Sequence, residues 1–185
     1  MGPDGYFYVQ NWNITASGCN SGAGDVLRYD PTDGSFVDRF ATLDYRSHRM
    51  GWGPDGDLWV PYYCGESVVQ IDGSTGETVA NHSPITPARY YDIAFDPVGR
   101  TMYLSIGNVQ AFDMSDWSLT SSFGSGWNNS MSMGPSGDLY VMDWHPTISP
   151  AGQMLVFEAS TSTLLWSFPI PEVPYPIATA LYDGL

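Results

Sequence analysis

The chain contains no lysine. Its 185 residues carry six basic side chains, all arginine, against 20 carboxylates, for a net charge of −14 and a pI near 4.1. A Schiff-base lysine and a Ser–Lys dyad are therefore excluded. So acidic a surface repels phosphate backbones and anionic headgroups, which makes nucleic acid and membrane surfaces poor partners. Long apolar runs are also missing: no stretch approaches the ~18 residues of a membrane-spanning helix. The start, Met1-Gly2-Pro3-Asp4-Gly5, has neither a basic stretch nor an apolar signal core, so either a signal has been removed or the chain begins inside a longer protein. Neither a Gly-x-Ser-x-Gly elbow, a phosphate loop, a dinucleotide fingerprint nor a Cys/His zinc pattern occurs, which removes the enzyme classes built on them.

What is present is turn chemistry and aromatic strands. The composition is 43% hydrophobic and 15% aromatic, with 20 Gly and 14 Pro scattered along the chain, as in an all-β protein with many turns. Gly2-Pro3-Asp4-Gly5 leads into Tyr6-Phe7-Tyr8-Val9, and Gly53-Pro54-Asp55-Gly56 into Asp57-Leu58-Trp59-Val60. Gly134-Pro135-Ser136-Gly137 leads into Asp138-Leu139-Tyr140-Val141, and a weaker copy, Asp96-Pro97-Val98-Gly99, into Arg100-Thr101-Met102-Tyr103-Leu104. Each reads as a hairpin turn, with Pro setting φ early and Gly accepting a positive φ at the end. A second motif follows each copy: Val26-Leu27-Arg28-Tyr29-Asp30, Val68-Val69-Gln70-Ile71-Asp72, Val109-Gln110-Ala111-Phe112-Asp113 and Leu155-Val156-Phe157-Glu158. A short apolar strand precedes three of the turns. Each unit is thus four strands, a to d, repeating at the ~40–45 residues of a propeller blade.

The expected fold is an all-β, four-bladed β-propeller of four-stranded antiparallel blades, a single domain over 1–185. Blade 2 covers 46–82, blade 3 covers 89–123 and blade 4 covers 128–168. Blade 1 is split: residues 2–41 supply strands b to d, and 177–185 supply strand a. The alternative is a fragment of a six- to eight-bladed propeller.

The pairing of a "GPDG-x-LWV" strand with a "V-x-R/Q-x-D-x-x-T/D-G" strand resembles NHL-type and YVTN-type repeats. It also resembles the blades of gluconolactonase-like and streptogramin-lyase-like propellers. That resemblance implies architecture first, since these families include secreted binding proteins as well as enzymes. For an enzyme it implies a divalent cation, calcium or magnesium, in the central channel, and metal-assisted lactone hydrolysis or lyase chemistry.

In a propeller the b–c and d–a loops gather on one face, and the Gly-Pro-Asp-Gly turns on the other. The candidate ligand-binding residues are those ending strand b or opening strand a: Asn11, Trp12, Arg49, Tyr62, Tyr91, Asn129 and Trp144. Aromatic faces beside amides suit a small neutral ligand, a carbohydrate or a protein surface; the bland alternative is that these rings only pack blade on blade. His48, Asp92 and His145 are the catalytic candidates, since His titrates near neutral pH. Asp92, Asn129 and Asp143 are the candidate metal ligands. His82 reads as merely exposed. The acidic turns around Asp30 and Asp55 lack calcium-loop spacing, and Asp favours turns by bonding its own backbone.

The two cysteines, Cys19 and Cys64, fall in b–c loops of adjacent blades. A Cys19–Cys64 disulfide is sterically reasonable and would place the protein outside the cytoplasm, extracellular or periplasmic. The function expected is an extracellular, non-enzymatic binding module working through an aromatic- and amide-rich channel mouth. The metal-assisted hydrolase or lyase is the alternative, and a homo-oligomer or the remainder of a larger propeller is a further partner.

Overall fold

The computed structural model describes residues 1–12, 24–83, 89–144 and 152–170, the side chains of Trp12, residues 125–129 and Trp144 set aside. Every described element is a strand, and all pairings are antiparallel. The chain divides into two compact units, Met1–Tyr90 and Tyr91–Leu185.

Unit 1 holds two blades. The first is a three-stranded sheet of β1 (Phe7–Trp12), β2 (Gly24–Tyr29) and β3 (Phe36–Leu43). The second is four-stranded: β4 (Gly51–Trp52), β5 (Leu58–Pro61), β6 (Val68–Ile71) and β7 (Thr78–His82). Residues 177–183, expected as strand a of the first blade, lie outside the described residues. So do 13–23, the insertion that carries Cys19.

In unit 2, β8 (Asp92–Phe95), β9 (Thr101–Ser105), β10 (Gly107–Asp113), β11 (Leu119–Met133), β12 (Asp138–Trp144), β13 (Gly152–Glu158) and β14 (Thr163–Pro169) form one seven-stranded sheet. The expected separate blades 3 and 4 are joined here through β11. Its first part pairs with β10 as a strand d, and its last part pairs with β12 as a strand a. Two register shifts and Gly124 at φ 72° mark the passage from one role to the other. The architecture is that of a β-propeller, built from four successive antiparallel blades.

The four turns that announced the repeat are the same structure. Gly5, Gly56, Gly99 and Gly137 all sit between φ 78° and 86°, and each donates its N–H to the carbonyl three residues back, at 2.9–3.0 Å. The c–d turns form a second set. Gly34, Gly76, Trp117 and Ser162 adopt φ 58–76°, and each donates to the carbonyl of the acidic residue four back. In three of these turns that acid also accepts an amide two residues on: Asp30 from Thr32, Asp72 from Ser74 and Asp113 from Ser115. The Ser74 hydroxyl, then the Thr75 and Ser74 amides, hold the Asp72 carboxyl down to about 2. These carboxylates stabilise their own turns, which is why Asp recurs there.

The cores are seams between blades. In unit 1, Val26, Phe40 and Ala41 of the first blade pack against Leu58, Val60 and Ile71 of the second, with Tyr8 and Trp52 in support. In unit 2, Tyr103, Val109 and Ala111 pack against Leu139, Val141, Leu155 and Phe157. His82, expected to be merely exposed, is half-buried: its ring stacks on Trp59 at 5.2 Å and its Nε2 meets Gln70 Oε1 at 3.1 Å.

Candidate functional site

Strand β5 ends at Pro61, and the next two residues leave it on opposite faces because side chains alternate along an extended chain. Tyr62 turns inward. It is only 2% exposed and belongs to the seam, and its hydroxyl accepts the Asp44 N–H at 3.3 Å. Burial pushes its pKa up to about 12. The Tyr62 ring is therefore committed to packing.

Tyr63, on the other face, is the centre of a cationic cluster. Its N–H donates to the Arg46 carbonyl at 2.8 Å. The Arg46 guanidinium lies 5.1 Å from the ring centroid and that of Arg89 5.3 Å, both within cation–π range. Arg89 Nη1 also donates to the Tyr63 hydroxyl at 3.2 Å. The His48 ring meets Tyr63 edge-on at 4.6 Å. The Ser47 hydroxyl donates to the Arg49 carbonyl at 2.7 Å within the segment that carries Arg46, His48 and Arg49. Two of the chain's six arginines therefore meet on one tyrosine ring.

The electrostatics follow. His48 is exposed by surface area, yet desolvation against its neighbours, then the charges of Arg46 and Arg49, push its pKa down to about 4. Arg46 is itself held below its ordinary value by burial. At the opposite end of the first blade arginine serves as a counter-ion: Arg28 bridges Asp4 at 3.2 Å and Asp38 at 2.6 Å.

In unit 2 the acidic candidates are buried. Asp92 opens β8 and is 5% exposed. Its Oδ1 accepts the Ile93 N–H at 2.8 Å and its Oδ2 the Met131 N–H at 2.7 Å, which ties β8 to β11. Asp143, 1% exposed on β12, accepts from Gln153 Nε2 at 3.0 Å. Tyr91 is half-buried, with its N–H on the Ser105 carbonyl. Asn129 lies at the register shift of β11 and Trp144 ends β12; their side chains, with all of His145, lie outside the described residues. In unit 1, Asn11 is exposed on β1 opposite Asp25, and Trp12 faces Gly24 in the backbone register. Among the described residues no three His, Cys, Asp or Glu side chains come together as a metal-holding group.

Both tyrosines fall at the strand-b end in the sequence, where Tyr62 alone stands among the ligand-binding candidates; the cation contacts lie on Tyr63. The period of two along the strand could have separated them, once the inward face of β5 was assigned from Leu58 and Val60. The sequence reading also set aside the turn end of the blades. There, unit 2 has a cleft of about 560 Å³ lined by the hydroxyls of Thr101, Thr120, Ser121 and Ser162 beside Arg100 and Tyr103.

Cys64 is not a free thiol; Cys19, its expected partner, lies outside the described residues.

No protein-family model matches the chain, and no curated protein matches it either. Solved structures do. The WD40 β-propeller domain of Doa1 superposes with a TM-score of 0.64 over 91% of this chain, at 11% identity. The hydrazine synthase of Kuenenia stuttgartiensis superposes with a TM-score of 0.55 over 65% of the chain, at 18% identity. This chain has a β-propeller fold. It spans about a third of the hydrazine synthase chain and about half of the Doa1 domain chain. At such identities the likeness concerns the fold alone, and function has to be argued from the site.

Proposed function

We propose that this propeller is an extracytoplasmic binding module whose recognition surface is the loop end of its blades, centred in unit 1 on Tyr63. The observation that carries this reading is the gathering of Arg46, Arg89 and His48 around one half-buried tyrosine, with the Arg49 charge acting on His48, in a chain that has six arginines and no lysine against 20 acids. Guanidinium groups steered by an aromatic ring present planar pairs of donors, the geometry that matches a carboxylate. The ligand is therefore a small molecule or partner loop that presents a carboxylate next to a planar face.

The test uses the His48 ring as a reporter. In free protein its NMR titration should centre near pH 4. Benzoate should raise that midpoint by about one unit or more, as an opposite charge within a few ångströms does, while neutral benzamide should not. Tyr63→Ala should abolish the benzoate response. An unmoved His48 midpoint at saturating benzoate would sink the proposal.

The compartment rests on the cysteines. The chain has two, and Cys64 is not a free thiol; pairing with Cys19 would close the long b–c loop of the first blade and needs an oxidising setting. Thiol titration of the denatured protein should find no thiol before reduction and two after it. Two reactive thiols in the unreduced protein would remove the argument for an extracellular or periplasmic location.

A further inference from the structure

One register position changes its chemistry from blade to blade. Arg28 opposes Tyr8, Gln70 opposes Trp59 and Ala111 opposes Tyr103. In the first blade Arg28 reaches the turn acid Asp4 and, across the sheet, Asp38. In the second, Gln70 Nε2 reaches Asp55 at 3.1 Å and Asp57 at 2.7 Å. The third blade has neither half of that link. Ala111 replaces the long polar side chain, and Val98 precedes Gly99 where Asp4 and Asp55 precede Gly5 and Gly56. Space that a side chain crosses in two blades is open in this one, and it forms part of the cleft of about 560 Å³.

The cleft lies within unit 2, between the third blade and the c–d turn of the fourth. Its volume falls in the ~300–1,000 Å³ range of small-molecule sites. The Tyr103 hydroxyl donates to the Ala159 carbonyl at 3.1 Å, and the Thr120 hydroxyl to the Ala111 carbonyl at 3.0 Å. Those protons are committed, so both oxygens face a ligand as acceptors. The Ser121 and Ser162 hydroxyls lie 2.8 Å apart, and each can donate or accept. Asp96 and Arg100 add one charge of each sign to the wall. Ser162 also holds φ 58° at the turn position that Gly34 and Gly76 occupy in the first two blades. A side chain in that left-handed region is unfavourable, and here it places a hydroxyl on the cleft wall.

We propose that this cleft binds a neutral carbohydrate through a single hexopyranose ring. A wall of groups that both donate and accept matches a ligand whose own groups do both, and sugar hydroxyls have that character. Ala111 and Ala159 give the wall an apolar strip against which the C–H face of a sugar ring can lie. An anion is disfavoured, because Asp96 offsets the single guanidinium of the wall and the chain carries a net charge of −14. The cleft shares no residue with the Tyr63 cluster, so either site can fail its test without the other.

Methyl NMR of the full chain reads the cleft directly through Ala111, Thr120 and Ala159. Glucose, galactose and mannose are titrated separately to ~100 mM, which captures sites of millimolar Kd. At least one of them should shift these methyls saturably, and acetate should not. Ala111→Gln refills the space as Gln70 does in the second blade, and should abolish the shifts at Thr120 and Ala159. Ser162→Gly removes one hydroxyl but relieves the positive φ, so it should weaken the apparent Kd ~fivefold or more while Tm holds or rises. A purely structural role for Ser162 would leave Kd where it was. Cleft methyls unmoved by all three sugars, an equal response to acetate, or undiminished sugar binding in either variant would each overturn the proposal. Where Ala111→Gln fails to fold, Ser162→Gly decides by itself.

Discussion

Gly76→Ala should destabilise unit 1 by roughly 3 kcal/mol or more, while Gly34→Ala should cost only about 1–2 kcal/mol. The two glycines occupy the same turn of successive blades, at φ 76° and 74°. A side chain in that left-handed region carries the same intrinsic penalty at both. They differ in what surrounds them. A Cβ at Gly34 meets nothing within 4 Å, whereas one at Gly76 would lie 1.9 Å from the Phe40 carbonyl oxygen. That oxygen is backbone in β3 and cannot rotate away, so the second blade's turn must lift off the first. Urea denaturation of both variants checks the pair. Equal losses would mean that the turn does not press on β3 as described.

Asp92→Ala should cost about 2–5 kcal/mol, because it strands the buried amides of Ile93 and Met131 at ~1–3 kcal/mol each. Asp92→Asn keeps one acceptor oxygen and turns a donor toward the other amide, so its loss should fall between wild type and Ala. Hydrogen exchange gives the specific signature: the Met131 amide should become the fastest-gaining site on β11. This prediction also distinguishes two roles for the residue. A carboxylate held for catalysis or a metal would lower function on substitution and leave stability nearly intact. One that ties β8 to β11 lowers stability first, and the hydrogen bonds here support the second role.

The repeat turns were legible in the sequence because their causes are local. Pro3, Pro54, Pro97 and Pro135 preset φ, and the glycine two residues later takes the positive φ, whatever lies beyond. The strand that follows each turn was legible for the same reason, as its aromatic and β-branched residues favour extended backbone. The merger of two blades through β11 was not. Leu119–Met133 runs across the 123/128 boundary expected between blades 3 and 4, and the register shifts with Gly124 at φ 72° pass one strand between two partners.

Side-chain direction at the end of β5 was not legible: the burial of Tyr62 in the seam and the ring contacts of Tyr63 follow from which face meets the neighbouring blade. Arg46 and Arg89 lie 43 positions apart in the chain, and no local pattern announces that one tyrosine ring will gather both. Asp92 looked chemical because acids near a propeller mouth often are; its partner, the Met131 amide, lies 39 residues away.

By itself, then, the amino-acid sequence determined the architecture: all-β blades with matching a–b turns, and an acidic, lysine-free composition. Those properties depend on contacts within a few residues or on composition alone. Tertiary structure alone decided which apolar strips are spent on seams and which stay open at Phe7, Val9, Trp166 and Phe168, and which acids are consumed as hydrogen-bond acceptors. It also decided where the scarce arginines converge, because such choices depend on which residues meet when whole blades pack, and that is written in no single stretch of the chain.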